Sequence, residues 1–162
     1  MQEENGSFGP RVSESMFHAN NLYVTCTNSG KLNRQKVQEF INSIITPNVG
    51  EKILYVIDKW SGQKNPKLYA NLFVDGENEL HIKFVPEHCT DICQPLHTYL
   101  HRQLKYLTKQ FYSHEIKLLK ENEKSQLISR NGILKMQSLI YYILSAPVFE
   151  SMIKYCWLLS GL

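Results

Sequence analysis

Residues 53–62, ILYVIDKWSG, constrain this chain more than any other stretch. Residues 52–57 are almost wholly apolar, with the β-branched and aromatic side chains that suit strands. A run without polar alternation predicts a strand covered on both faces, as in a parallel sheet flanked by helices. It ends on a single carboxylate, Asp58, followed by a turn. Such a carboxylate either caps the backbone of Trp60 or Ser61 or faces a ligand. What lies opposite decides between these, and the candidate is the helix that opens at Gln94-Pro95-Leu96-His97.

The rest of the pattern extends this reading. Residues 21–27, NLYVTCT, alternate and predict another strand, with a turn at Asn28-Ser29-Gly30. Asn33 can cap a helix over 34–45, where Val37, Phe40, Ile41, Ile44 and Ile45 recur at helical spacing, and Pro47 and Gly50 end it. A short helix is expected over 67–73, and residues 79–85 predict a strand with one more polar face, closed by Pro86. Thr90 or Asp91 can cap the next helix, and Pro95 is acceptable only in its first turn. That helix has an apolar stripe (Leu96, Leu100, Leu104, Leu107, Phe111) and a second ridge (His97, His101, Lys105, Lys109). Residues 115–126 are charged and read as a solvated helix or linker. Asn131 can cap a helix with Ile133, Met136, Ile140 and Ile143 inward. A last helix starts near Pro147, with Phe149, Met152, Ile153, Cys156 and Trp157 on its stripe and Gly161 as its stop. The order predicts an α/β fold with a partly parallel sheet, three or so strands and a helical C-terminal extension.

Charge and cysteine usage bound the function classes. A net charge of +3 over 162 residues is compatible with a polyanionic partner but does not demand one. The first eleven residues are polar, include Glu3 and Glu4 and lack the apolar core of a secretory leader, so an intracellular setting with Cys26, Cys89, Cys93 and Cys156 as free thiols is expected. No apolar run approaches the roughly 20 residues needed to cross a bilayer.

Two patterns on the helix after Pro95 bear on chemistry. Cys89, Cys93, His97 and His101 recur at steps of four, a spacing that suggests zinc. Against it, Pro95 sets the helix start, so Cys89 falls outside, and one linear row cannot close a tetrahedron without another segment. The ridge His97, His101, Lys105 and Lys109, with Arg102 beside it, can follow a nucleic-acid backbone or form a solvated face. Trp60 can stack on a base or pack in the core.

Three pieces of the chain, VIDKWSG, then FVPEHCTDICQPLHTYLHRQLK, then FESMIKYCWLLSGL, resemble the catalytic domain of DDE-superfamily transposases and endonucleases. The nearest branch is the pogo/Jerky-like one. The most specific pieces are Trp60-Ser61-Gly62 after Asp58, and Gln94-Pro95-Leu96 with Tyr99, Arg102 and Lys105 following. The resemblance implies a ribonuclease H-like fold in which three carboxylates hold two Mg²⁺ or Mn²⁺ ions for DNA cleavage and strand transfer. Such ions sit about 3.5–4 Å apart and stabilise the attacking and leaving oxygens. Asp58 corresponds to the second carboxylate, and His97 stands where the third is expected. The first belongs to a strand that would precede Met1. Gln63 stands where relatives usually show a histidine.

The resemblance therefore implies an incomplete, degenerate domain: residues 1–126 as a partial ribonuclease H-like domain without its first two strands, and 127–162 as a helical pair packed on it. The missing strands would separate 21–27 from 52–57, so these must pair directly or leave open edges. The implied function is DNA binding in the nucleus without catalysis and with no bound cofactor. Alternatives are a domesticated protein–protein interaction module on the same scaffold and a gene fragment without a role.

Overall fold

The computed structural model describes residues 1–48, 50, 52–73, 79–120 and 129–161. Among them lie seven α-helices and two strands, with π-helical and 3₁₀ segments between. The class is mixed and broadly α/β. Contacts group the chain into two compact units: Met1–Ser7 with Thr25–Gln94, and Phe8–Val24 with Pro95–Leu162.

In the first unit, helix α2 (Arg34–Phe40) starts at Asn33, whose side chain accepts from Lys36 N. It continues through a π-helical turn, Ile41–Ile45, into a single turn, α3 (Thr46–Asn48). The π turn lies directly upstream of Pro47, which brings no N–H and crowds the carbonyl four residues back. Strands β1 (Lys52–Asp58) and β2 (Glu79–Val85) form a two-stranded parallel sheet, from Lys52 against Glu79 to Asp58 against Val85. A 3₁₀ segment, Pro66–Phe73, lies between the strands in sequence. The core of this unit is Val37, Ile41, Ile57, Leu68 and Tyr69, with Ile45, Tyr55 and Ile82 packed around it.

Two expectations fail here. The strand over 21–27 is reduced to one isolated parallel bridge, Thr27 with Gln2, so the described sheet has two strands rather than three. Alternation and β-branching made that segment strand-like, but a strand needs a ladder of partners. Nor is β1 covered on both faces, since Leu54 stays 42% exposed. Its apolar run reflects one packed face plus unburied side chains.

The second unit is helical. Helix α1 (Pro10–Ser15) begins on Pro10, and α4 (Thr90–Cys93) is a single turn that belongs to the first unit. After Pro95 a π-helical turn, Leu96–Leu100, leads into α5 (His101–Lys120). Then come α6 (Arg130–Leu144), a 3₁₀ turn and α7 (Glu150–Ser160), which Gly161 ends in the left-handed conformation at φ 73°. Met136, Ile140 and Leu144 of α6 form the core, with Leu100, Leu104, Leu107, Phe111 and Met152 against it. Four of the five residues of the expected α5 stripe are thus in place; Leu96 is 49% exposed.

The cap of α6 is Ser129, whose side chain accepts from Gly132 N, not Asn131. Asn131 instead accepts from Phe17 N at 2.8 Å and donates to Ser15 O at 2.7 Å, stitching the α1 segment to α6. The inward face of α6 includes Leu134 and Leu144, whereas Ile133 is exposed. On α7, Cys156 is buried but Ile153 and Trp157 stay 41% and 37% exposed. Residues 121–126 of the expected charged linker lie outside the described residues. Among the described residues no single helix is long and apolar enough to cross a membrane; α6 with 147–160 passes by length and composition as a pair bent by 67°.

Candidate functional site

A parallel pair aims the carboxyl ends of both strands the same way, and the loops that follow flank a common crevice, where ligands of open α/β sheets bind. Here the register sets Asp58 beside Val85 at that end. A shallow cleft of about 280 Å³ opens there, lined by Asp58, Lys59 and Trp60 after β1 and by Glu87, His88 and Thr90 after β2.

Each wall has a local cause. Lys59 and Trp60 lead into a turn in which Gln63 N and Lys64 N both donate to Trp60 O at 3.0 Å. Gly62 is buried directly beneath the Trp60 indole, so that any Cβ there would overlap the ring. The requirement for glycine is spatial, and it seats an indole that remains 39% exposed. Trp60 is therefore both packed on its own turn and open to the cleft. Gln63 Nε2 donates to the Asp58 carbonyl at 2.9 Å, and Tyr69 Oη donates to the Gln63 carbonyl at 2.7 Å. This chain of bonds ties the site to the core. Burial, and secondarily the neighbouring Tyr55, pushes the Tyr69 phenol up to about 12.

On the other wall, Cys89 N donates to Pro86 O, closing a tight turn with His88 at φ 63°, the single non-glycine residue with positive φ among the described residues. Lys59 Nζ and Glu87 Oε1 stand 3.9 Å apart. Thr90 does not cap its helix. The N-cap of α4 is Cys89, without a side-chain bond, and Thr90 Oγ1 donates to Asp58 Oδ1 at 3.1 Å. Asp58 thus takes neither the Trp60 nor the Ser61 backbone as its partner; it accepts from a hydroxyl on the neighbouring wall.

The remaining candidates lie along the helix after Pro95. The His97 and His101 rings meet edge-on with centroids 4.3 Å apart. Burial, then the His97 and Lys105 charges, lowers the His101 pKa. Arg102, Lys105 and Lys109 are exposed on α5, and among the described residues none of them is ion-paired. The structure thus brings Asp58 and Trp60 to one cleft, and His97, Arg102, Lys105 and Lys109 to one helix.

Among the described residues no group of three His, Cys, Asp or Glu side chains is placed to hold a metal ion, the row Cys89, Cys93, His97 and His101 included. The cleft itself does not fit a two-ion centre. Its second carboxylate, Glu87, is within ion-pair distance of Lys59, which leaves Asp58 as the cleft acid without a cationic partner among the described residues. Hard divalent ions need several oxygen ligands, and one Asp cannot fix two of them. Gln94, of the Gln-Pro-Leu motif, buries Oε1 with no hydrogen-bond partner among the described residues.

Sequence reasoning missed Thr90 as the partner of Asp58, Glu87 and His88 as cleft walls, and the seat that Gly62 makes for Trp60. The Trp-x-Gly spacing was the one local signal for that seat. Comparison with protein-family models, curated proteins and solved structures finds no match to this chain.

Proposed function

We propose that this chain is a transposase-derived domain of the DDE superfamily, with a ribonuclease H-like ancestry, that contacts DNA through its phosphates in the nucleus and does not cut it. The observation that carries the binding half is the exposed row Arg102, Lys105 and Lys109 on a 20-residue helix, without an ion pair among the described residues. Cations held along a rigid helix release counterions from a nucleic-acid backbone without reading sequence. The Asp-x-Trp-Ser-Gly turn at the carboxyl end of a parallel strand supports the ancestry.

The same reading denies catalysis. Asp58 is the ancestral second carboxylate, and His97 replaces the third. A neutral imidazole suits Zn²⁺ or Mn²⁺ better than Mg²⁺.

Fluorescence anisotropy with a duplex oligonucleotide tests the proposal. Each phosphate neutralised contributes about −0.9 to the slope of log affinity against log salt, so three contacts predict a slope near −3. Replacing Arg102, Lys105 and Lys109 together by Gln should remove most of that slope. An unchanged slope sinks the assignment of this helix. A nicking assay with Mg²⁺ or Mn²⁺ should show no cleavage that Asp58→Ala abolishes.

A second reading, a protein–protein interaction module, draws on one observation: α7 leaves Ile153, Trp157 and Leu158 exposed, Leu158 at 73%. It predicts partner capture that salt does not weaken.

A further inference from the structure

We propose that the cleft after β1 and β2 binds a guanidinium group, the side chain of an arginine presented by a partner polypeptide. The proposal is independent of the nucleic-acid reading, since it uses no residue of α5.

Of the four ionisable or imidazole side chains lining the cleft, Lys59 and Glu87 stand within ion-pair distance of each other. Asp58 is held by the neutral Thr90 hydroxyl through Oδ1 alone, and no cation pairs with it among the described residues. A carboxylate has about four lone-pair sites, so most of its accepting capacity remains open. The cleft therefore presents one uncompensated negative charge.

Trp60 lines the same cleft with its indole 39% exposed and pinned over Gly62, so the ring is already oriented. A flat cation stacks on an indole face and is attracted by its quadrupole. Guanidinium is flat, permanently charged and weakly hydrated, and it donates in a fork that matches a carboxylate. An ammonium satisfies the charge but lacks the fork and stacks less well. The volume, about 280 Å³, lies just below the roughly 300 Å³ at which pockets for whole small molecules begin. It suits one side chain. A phosphate is disfavoured beside Asp58 and Glu87.

The probe is Nα-acetyl-arginine amide, titrated into the whole chain and followed by ¹H–¹⁵N NMR at low salt. The expected result is saturable shifts at the Asp58 amide and the Trp60 indole N–H, with a dissociation constant on the order of 1 mM, as one charge-assisted contact provides. The neutral isostere, acetyl-citrulline amide, should bind about tenfold more weakly. Asp58→Asn keeps a carbonyl for Thr90 to donate to, so the cleft stays formed while binding falls about tenfold. Trp60→Ala should lose about threefold, and Trp60→Phe should lose less.

Equal binding of the arginine and citrulline probes overturns the proposal, and this control needs no variant. So does full binding by Asp58→Asn, or shifts that map away from Asp58 and Trp60. Displacement of the probe by equimolar Mg²⁺ or Mn²⁺ assigns the carboxylate to a metal instead. Displacement by a single-stranded oligonucleotide assigns the indole to a base. Either result also defeats the proposal.

Discussion

The two compact units build their cores by different routes. In the first, the core joins Val37 and Ile41 from one helix, Ile57 from a strand and Leu68 and Tyr69 from a 3₁₀ segment. In the second, one helix supplies the buried row Met136, Ile140 and Leu144, and a second helix lays Leu100, Leu104, Leu107 and Phe111 against it. The first core is assembled from contacts that no short-range periodicity announces. The second is mainly two stripes at helical spacing, with Met152 of α7 added to them. The candidate chemistry divides the same way. The basic row of α5 follows from helical periodicity, whereas the Asp58 cleft exists only because two strands pair in one register.

The sharpest way to break this comparison is to empty each core at its centre. Ile41 and Ile140 are 0% and 1% exposed. Each Ile→Ala variant should cost about 2–5 kcal/mol in chemical denaturation, from lost transfer energy plus a residual cavity. Leu158→Ala, at a site 73% exposed, should stay within about 0.5 kcal/mol. If either core variant behaves like Leu158→Ala, that core has been assigned to the wrong residues.

A smaller effect tests the cleft. Gly62→Ala places a methyl where the Trp60 ring lies, so the indole must leave its seat. The expected cost is about 1–3 kcal/mol, with a red-shifted Trp60 emission in a Trp157→Phe background. Unchanged emission would mean that the ring is not seated on Gly62.

The last effect is a pH dependence that originates in the first unit. The Tyr69 phenol is raised to about 12 from its ordinary 10.0 by burial and by Tyr55. The folded state therefore keeps a proton that the unfolded state releases. Its contribution to stability is complete below pH 10 and is lost as the pH rises toward 12. Tyr69→Phe should flatten the stability curve between those limits, while losing about 1 kcal/mol at neutral pH with the bond to the Gln63 carbonyl. An equally steep alkaline loss in Tyr69→Phe would place its origin elsewhere.

Much of the helical half was legible in the chain itself. Asn33 caps α2, Pro95 sits at the start of the long helix, Gly161 stops α7, and four of the five α5 stripe residues reach the core. These outcomes depend on dihedral preference and side-chain spacing within a few residues, which local chemistry determines. The two strands that pair were legible for the same reason. Less so was everything that depends on a partner far along the chain. Residues 21–27 had the composition of a strand but found a single bridge. Asn131 had the composition of a cap but spends its amide on Ser15 and Phe17.

The sequence by itself determined the cap of α2, the helix start at Pro95, the stop of α7, most of the α5 apolar stripe, and that Asp58 ends a strand. Tertiary structure alone decided that Thr90 donates to Asp58, that Lys59 lies near Glu87, and that Asp58 and a seated indole line one cleft. The reason is physical. Propensity and periodicity act between neighbours, whereas the company a side chain keeps is chosen by strand register and packing across tens of residues.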